Sequence, residues 1–394
     1  MPDVLLLALL VVAIATGWWL GRRERRRVGE ASAPPALSRD YFVGLNYLLN
    51  DQQDQAIETF IGALEVNSDT VETHLALGNL FRNRSEADRA LKIHQNLLAR
   101  PTLTTDQSER VQLELSRDFL ALGLLDRAER LLQSLLHDGQ DDELRGSARR
   151  LLVDLLERER EWQAALEVAL PRLTRQHDDI RRAAAHWLCE LAEQERHSAS
   201  PVLARRHLRQ ALATDPRCVR ANLLLAAMEQ DTGHYRQAIK LLRRVPDQDP
   251  AFTSTLLDPL AHAYRLLDDE EGLIQCLREL LEQAPSTAVI TLLAETLRHH
   301  QGNDQDALAL IREQLERQPS LEALHYLLTL YRRHDQAEDD ERIALLERHT
   351  LSLVSAHPRH RCRRCGFAAE RLHWQCPRCR SWGTIKPIDR PDGD

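Results

Sequence analysis

The chain has 394 residues, too many for one compact core, so more than one structural unit is expected. Aromatic residues make up only 5% of it, whereas Leu, Ala, Glu, Arg and Gln recur throughout, and this composition of helix formers excludes a mainly β fold. The net charge is −8, of which residues 357–394 carry +5 and residues 31–356 carry −15. An acidic body of this kind argues against nucleic-acid binding, since phosphate contacts need clustered cations.

The N-terminal segment contains a run of 17 residues without a charged side chain, from Val4 to Leu20. This length is at the short end for a membrane-spanning helix. The arginines between Arg22 and Arg27 follow the run. The only charged side chain before it is that of Asp3. A cleaved signal peptide, which is the alternative, carries its cations before the apolar stretch. The order of charges therefore favours an uncleaved transmembrane anchor at residues 1–21.

The arginines after the run predict the orientation of the chain. Positive residues beside a span stay in the cytoplasm, so we expect the N-terminus outside the membrane and the bulk of the chain inside. The same arginines suit anionic lipid headgroups. Residues 22–36 are predicted to form a basic juxtamembrane linker, because the adjacent Pro34 and Pro35 do not continue a helix.

Residues 37–356 show an internal repeat of the tetratricopeptide type. Small and aromatic residues of the first unit, such as Gly44 and Tyr47, have counterparts 34 residues later at Gly78 and Phe81. A small residue that opens the second helix of each unit lets its two helices approach closely. It recurs at intervals of 34, 38, 37, 39, 34, 34 and 35 residues, at Ala56, Ala90, Ala128, Ala165, Ala204, Ala238, Gly272 and Ala307. The pattern predicts an all-α fold, a superhelical solenoid with a concave groove for a peptide or a folded partner.

The boundaries of the units agree with this interpretation. Polar turns such as Asp231–Gly233 and Gly302–Asp304 separate helices, and prolines close several units. The pattern is looser between about 105 and 200, where the number of repeats stays open, and residues from about 320 to 356 are predicted to be a partial terminal cap. An irregular helical bundle is the alternative. The sequence holds no phosphate loop and no nucleophile elbow, so we do not expect an enzyme.

The seven cysteines fall into two groups. Three lie singly in helical stretches and are predicted to be small core residues, namely Cys189, Cys218 and Cys276. The other four form two C-x-x-C pairs separated by ten residues, namely Cys362, Cys365, Cys376 and Cys379. This spacing is a specific metal signal. Four thiolates complete a tetrahedron around one zinc or iron ion and leave no position for a substrate water, so the site is predicted to be structural or electron-transferring.

Residues 357–394 are therefore predicted to be a small metal-binding domain. Its apolar side chains are expected to form a small core around the ion, namely Phe367, Leu372, Trp374, Trp382 and Ile385. Such a core needs the metal to be stable. We expect this basic tail to dock on the acidic repeats. The alternative is a nucleic-acid-binding zinc ribbon, which would use Arg361, Arg363, Arg364, Arg378 and Arg380.

Several short motifs carry a resemblance to a known family. Gly21-Arg22-Arg23 follows the anchor, Leu37 to Tyr41 opens the repeats, and Ala76 to Arg82 lies in the second repeat. The tail, from Arg361-Cys362 to Lys386-Pro387, is the most specific piece. In this order, from end to end, the chain resembles the lipopolysaccharide assembly protein B family.

The resemblance implies an inner-membrane protein of Gram-negative bacteria with a rubredoxin-like domain, in which Cys362, Cys365, Cys376 and Cys379 are the metal ligands. It implies that the repeats present the deacetylase that commits precursors to lipid A to the membrane protease FtsH, and that an inner-membrane antagonist relieves the resulting degradation. The spacing between the cysteine pairs is shorter than in free rubredoxins, which favours a structural metal. Two other functions stay open, a scaffold for the lipopolysaccharide transport machinery and a redox protein.

Overall fold

A computed structural model of the chain describes residues 71–388 except 102, 171, 198–199, 302–303, 318, 335–340 and 357, and also residues 43, 46, 47, 55 and 59. The predicted anchor, the linker and most of the first repeat lie outside the described residues, and so do Gly302 and Asn303 of one predicted turn. Within the described part, no helix is both long enough and apolar enough to cross a membrane. The chain divides into two compact units, residues 1–145 and 146–394.

In its described part, the first unit consists of antiparallel helix pairs. The helices are α1 (Val71–Asn83), α2 (Ala87–Leu98), α3 (Thr105–Ala121) and α4 (Leu125–Asp138), and α5 (Asp142–Glu159) begins here and continues into the second unit. Thr104 caps α3, because its hydroxyl accepts a hydrogen bond from the Gln107 backbone N–H and its own N–H donates to the Gln107 side chain. The predicted small residues lie where the two helices of each pair cross, since Ala90 and Ala128 have no exposed surface.

The second unit continues the repeats from α5 onward. Its further helices are α6 (Trp162–Ala169), α7 (Arg172–Gln176), α8 (Asp178–His197), α9 (Pro201–Thr214), α10 (Val219–Asp231), α11 (Tyr235–Leu242), α12 (Val245–Gln248), α13 (Thr253–Leu266), α14 (Glu270–Gln283), α15 (Thr287–Gln301), α16 (Asp304–Arg317), α17 (Leu321–His334) and α18 (Glu341–Ala356). A short 3₁₀ turn, Pro250–Phe252, precedes α13. The repeat prediction is confirmed, and the small residues Ala165, Ala204, Ala238 and Ala307 are again completely buried.

The structure also explains the irregular spacing that left the repeat count open. The interval of 39 residues between Ala165 and Ala204 contains the extra helix α7, and α8 is 20 residues long. The region from 105 to 200 therefore holds the helix pairs α3/α4 and α5/α6, then α7, and then the first helix of the next pair.

The last helix pair differs from the partial cap that the sequence predicted. Helices α17 and α18 are both complete, and Glu347 of α18 accepts a hydrogen bond from Thr329 at 3.0 Å and pairs with Arg332 at 2.7 Å. The second helix leaves several leucines about half exposed, which a polar cap would not do, namely Leu345, Leu346, Leu351 and Leu353. Helices α17 and α18 therefore form a full repeat-like pair, in which the polar contacts of Glu347 join the two helices.

The C-terminal segment forms a small antiparallel sheet. Its strands are β1 (His360–Cys362), β2 (Ala368–Ala369) and β3 (Ile385–Pro387), and β1 lies in the centre. Cys362 is opposite Ile385 in the β1/β3 pairing. This sheet is not a separate body, because Leu372 and Trp374 pack against the hydrophobic core of the repeats in the same unit.

Candidate metal centre

The four cysteines of the tail lie close together. Their sulfur atoms are all within 4.8 Å of one another, and Cys362 and Cys376 are buried whereas Cys365 and Cys379 are partly exposed. The shortest separations join the two pairs, with 3.6 Å between the sulfurs of Cys365 and Cys376 and 3.7 Å between those of Cys362 and Cys379. The structure thus brings together all four residues that the spacing had singled out.

Each cysteine pair is held in the same backbone turn. The Gly366 N–H donates to the Cys362 carbonyl at 3.0 Å, and the Arg380 N–H donates to the Cys376 carbonyl at 2.8 Å. Gly366 has a φ of 73°, as expected for the glycine after the first pair, and Arg380 occupies the same region with a φ of 56°. Both turns aim their two sulfurs at the same point.

The sulfur positions fit one tetrahedral metal ion. Zinc–sulfur bonds of 2.3 Å place the corners of a tetrahedron about 3.8 Å apart, close to the 3.6 and 3.7 Å seen between the pairs. The donor set consists of sulfur alone, which suits zinc or iron and gives no preference between them. These four cysteines form a rubredoxin-like metal site.

The protonation of the cluster also calls for a cation. Burial raises the pKa of the Cys362 thiol, but hydrogen bonds from the Thr384 hydroxyl and from the backbone N–H groups of Cys365 and Arg364 outweigh it and lower that pKa to about 6. Burial raises the pKa of the Cys376 thiol to about 12. The Cys376 thiol therefore keeps its proton at neutral pH, and binding of a cation would release it.

The small core behind the sulfurs contains only part of the predicted set. Cys362, Cys376 and Ile385 are buried, and Phe367 and Leu372 pack against them. The prediction was wrong for the two tryptophans of the tail, Trp374 and Trp382, which face the repeats instead. They are too large for a core of this size, and partners on the repeats bury Trp382 and partly bury Trp374.

Trp382 makes one half of the contact between the tail and the repeats. Its ring stacks on His186 of α8, with 5.2 Å between the centroids and 19° between the planes, and meets the edge of Trp162 at 6.0 Å. Its indole N–H donates to the Glu157 carboxylate at 2.9 Å. Gly383 follows, with a φ of 62°, and a Cβ there would lie 3.0 Å from the His186 ring. The chain therefore approaches α8 so closely here that only glycine fits without strain.

Trp374 makes the other half. Its ring stacks on Phe252 at 5.4 Å and lies 5.8 Å from the His186 ring. The Arg220 guanidinium, held by Glu190 and Glu193, lies 6.0 Å from the same indole. The two tryptophans thus enclose His186, which belongs to the repeats.

Glu157, near the end of α5, joins the aromatic and charged parts of this contact. Its carboxylate accepts hydrogen bonds from Trp187 at 3.0 Å, from Trp382 at 2.9 Å and from Gln375 at 2.8 Å, and Arg380 lies 3.6 Å away. Burial raises the pKa of this carboxyl, against the lowering effect of the tryptophan N–H groups.

The predicted docking of the basic tail on the repeats is confirmed, and aromatic contacts take part in it beside charged ones. Arg380 of the tail pairs with Glu157 of the repeats, and Lys386 of the tail pairs with Asp249. The repeat-side partners could not be predicted, since Phe252 and His186 lie at ordinary positions of helical segments. Tryptophan was the one usable signal, because only six occur in the chain and two of them are in the tail.

The three other cysteines behave as predicted. Cys189, Cys218 and Cys276 are buried in the helical core and form no disulfide. The sulfurs of Cys189 and Cys218 lie 3.9 Å apart, and burial raises the pKa of the Cys189 thiol.

Comparison with known proteins agrees with both parts of the structure. Residues 360–387 match a family model described as a rubredoxin metal binding domain, and residues 199–255 match a tetratricopeptide repeat model. Among solved structures, a tetratricopeptide repeat protein from Parabacteroides merdae ATCC 43184 is 14% identical, with a TM-score of 0.32 over 72% of this chain and 100% of that chain.

Two curated relatives match along almost their whole length. Lipopolysaccharide assembly protein B of Escherichia coli (strain K12) is 35% identical over 391 residues, which cover 99% of both chains. The protein of the same name from Haemophilus influenzae (strain ATCC 51907 / DSM 11121 / KW20 / Rd) is 34% identical over 398 residues, which cover 98% of this chain and 99% of that one. Identity at this level over the full length establishes kinship, and the chain belongs to the lipopolysaccharide assembly protein B family.

Proposed function

We propose that this protein acts in lipopolysaccharide assembly as a membrane-tethered adaptor. In particular, it would regulate lipopolysaccharide synthesis by presenting the lipid A pathway deacetylase to the membrane protease FtsH for degradation. The supporting observation is a repeat scaffold with a metal module packed on it, in a chain that matches relatives named for lipopolysaccharide assembly over 99% of its length. Scaffolds of this kind bind proteins and do not perform chemistry, in agreement with a non-enzymatic role.

Each segment of the chain would have its own part in this function. Residues 1–21 anchor it in the inner membrane with the N-terminus in the periplasm, residues 22–36 are a basic linker, residues 37–356 are the repeats, and residues 357–394 are the metal module. The order of an uncharged run followed by five arginines supports the anchor and its orientation.

We assign Cys362, Cys365, Cys376 and Cys379 as the ligands of one iron or zinc ion. Their distances and their all-sulfur donor set support this assignment. When bound, the ion supplies positive charge that holds four thiolates together. The metal is structural in this proposal, because four protein ligands leave no open position and because the module places Trp374 and Trp382 against the repeats.

Tethering provides the mechanism. An anchor confines the repeats to the region near the membrane protease, so that a substrate bound by the repeats meets the protease at a high effective concentration. Linkage of this kind raises apparent affinity by roughly 10²–10⁴ without any new contact.

The test replaces residues 1–21 by a soluble N-terminal segment. In the matched control, an unrelated single transmembrane helix of the same orientation replaces them. Deacetylase turnover is then measured in cells by pulse-chase. The control is expected to restore turnover and the soluble chain to slow it. Normal turnover with the soluble chain would overturn the tether mechanism.

The name of the relatives, lipopolysaccharide assembly protein B, favours one other function, a scaffold that coordinates lipopolysaccharide synthesis with its transport machinery. Affinity purification from membranes separates the two. Recovery of FtsH and the deacetylase supports the adaptor, and recovery of transport proteins with an unchanged deacetylase level supports the scaffold. The same pull-down would show an inner-membrane antagonist.

A further inference from the structure

A cavity of about 290 Å³ lies where the metal module meets the repeats. Its walls come from α8, from the turn before α10, from the segment around Asp249 and from the tail on both sides of Gly383. The body of the chain is acidic, yet four cations line this cavity, namely Arg182, Arg217, Arg363 and Lys386. A basic cavity in an acidic scaffold points to an anionic ligand.

Three of the four cations have no partner of their own. Lys386 pairs with Asp249. In the described part of the chain, by contrast, the guanidinium groups of Arg182, Arg217 and Arg363 make neither a hydrogen bond nor an ion pair. Three unneutralised charges at one cavity repel one another, and an anion relieves this repulsion.

The two carboxylates at the cavity do not neutralise these arginines. Asp249 binds Lys386 and accepts the Ala251 backbone N–H at 3.1 Å. Asp215 is buried, and its side chain accepts the Arg217 backbone N–H at 3.1 Å. Both carboxylates therefore already accept hydrogen bonds from the backbone around the cavity. The three guanidinium groups remain available to bind an anion.

Two more features of the wall favour an anion. His186 is only 3% exposed, and its Nδ1 has no hydrogen-bond partner although it is completely buried. The cavity also adjoins the start of α10, at Cys218 and Val219, and this helix of 13 residues has no side-chain cap. The positive end of its dipole adds to the field of the arginines.

We propose that this cavity binds a phosphate group, as a free phosphate or diphosphate or as part of a phosphorylated headgroup. Guanidinium groups match the oxygens of a phosphate with paired hydrogen bonds, and a doubly charged anion suits three unpaired cations better than a single carboxylate. Arg182 and Arg217 belong to the repeats and Arg363 to the tail, so the anion would bind both at once. It therefore holds the metal module on the repeats.

The test uses the full-length, metal-loaded protein in phosphatidylcholine nanodiscs, titrated with inorganic phosphate and with pyrophosphate at constant ionic strength. Calorimetry measures binding, and amide hydrogen exchange of residues 359–388 measures how firmly the module is held. We expect saturable binding that slows exchange in this segment. The double variant R217Q/R363Q is expected to weaken binding about tenfold or more.

The matched control is R206Q/R378Q. It also removes one exposed arginine from the repeats and one from the tail, but neither lines the cavity. We expect this control to bind the anions as the wild type does. Equal losses in the two double variants would overturn the proposal, since nonspecific charge would then explain the binding.

A second arm replaces part of the phosphatidylcholine by phosphatidic acid, without free phosphate. Slower exchange of residues 359–388 in these discs alone, lost in R217Q/R363Q, assigns the phosphate group to a lipid headgroup, and a response to the free anions assigns it to a soluble ligand. The absence of a response that depends on Arg217 and Arg363 in both arms overturns the proposal.

Discussion

Glu157 shows how one side chain can hold two parts of the chain together. Its carboxylate accepts the indole N–H of Trp187 within the repeats and that of Trp382 in the tail. Both donors are in surroundings where water cannot easily replace a lost acceptor, so a change at this position leaves unsatisfied polar groups on both sides of the contact.

Glu157→Ala is expected to lower the free energy of unfolding by about 2–4 kcal/mol, because two indole N–H groups lose their acceptor. Glu157→Gln should cost less, since it keeps one acceptor oxygen and removes a buried charge whose burial raises the pKa. Urea unfolding followed by tryptophan fluorescence measures both. Glu167→Ala, at an exposed position, is the control, and an Ala variant at 157 as stable as this control would contradict the prediction.

His186 makes the stability of the contact depend on pH. Burial, together with Arg220, Lys386 and Arg182, lowers its pKa well below the ordinary value of 6.5. The folded protein therefore keeps the ring neutral, whereas the unfolded chain protonates it near pH 6.5. The stability contribution is present above pH 6.5 and is lost as the pH falls below that value, at about 1.4 kcal/mol per pH unit until the folded pKa is reached.

His186→Phe should remove this dependence and keep the stacking on Trp382. The free energy of unfolding is measured at intervals from pH 7.5 to 5.5 for both proteins with metal present. The other ionisable groups are the same in both proteins, so the difference between the two curves isolates His186. Parallel curves would show that the ring contributes no pH dependence.

Among the elements, the first described helix pair gives the sharpest test of the repeat packing. A Cβ at Gly78 of α1 would lie 2.2 Å from Nε2 of His94 in α2. His94 cannot easily move, because it is completely buried and its Nδ1 lies 2.5 Å from Asp118, which also pairs with Arg82. The small residue is required here by a polar network and not by apolar packing alone.

Gly78→Ala is expected to destabilise the protein by about 1–3 kcal/mol through overpacking. Gly146→Ala is the matched control, since Gly146 also lies in a helix and a Cβ there meets nothing within 4 Å. That change should be neutral or stabilise by about 0.5–1 kcal/mol. Chemical unfolding, with hydrogen exchange of residues 71–98, distinguishes them, and similar effects of the two changes would refute the close-contact explanation.

Among the elements, those that recur along the chain could be predicted from the sequence, and those that occur once could not. The six buried alanines from Ala90 to Ala307 follow a spacing that packing imposes, so the helix pairs were predictable. Helix α7 was not predictable, because a helix of five residues is too short to show a periodic hydrophobic pattern. The cysteine spacing predicted the cluster, and Gly366 predicted one turn, but Arg380 adopts the same turn without the glycine that would have signalled it. The destination of Trp374 and Trp382 depended on partners far away in the sequence.

For the second unit as a whole, a metal ion bound by the four cysteines would link the small module to the repeats. The module has a core of a few side chains, so it needs the ion to fold, and its tryptophans reach the repeats only when it is folded. Chelation should therefore release residues 357–388, shift the tryptophan fluorescence to the red and open protease sites in this segment. Readdition of zinc or iron is the control. A protease pattern that chelation leaves unchanged would contradict this coupling.

The contact between Trp382 and Glu157 spans 225 residues of sequence. During synthesis, the helices that carry Trp162, His186 and Phe252 emerge from the ribosome long before the segment that covers them. Each growing chain therefore exposes this aromatic surface until the segment from Trp374 to Trp382 has also been made. Copies cut before Trp374 should for this reason be bound by chaperones and cleaved by proteases more readily than copies that contain this segment.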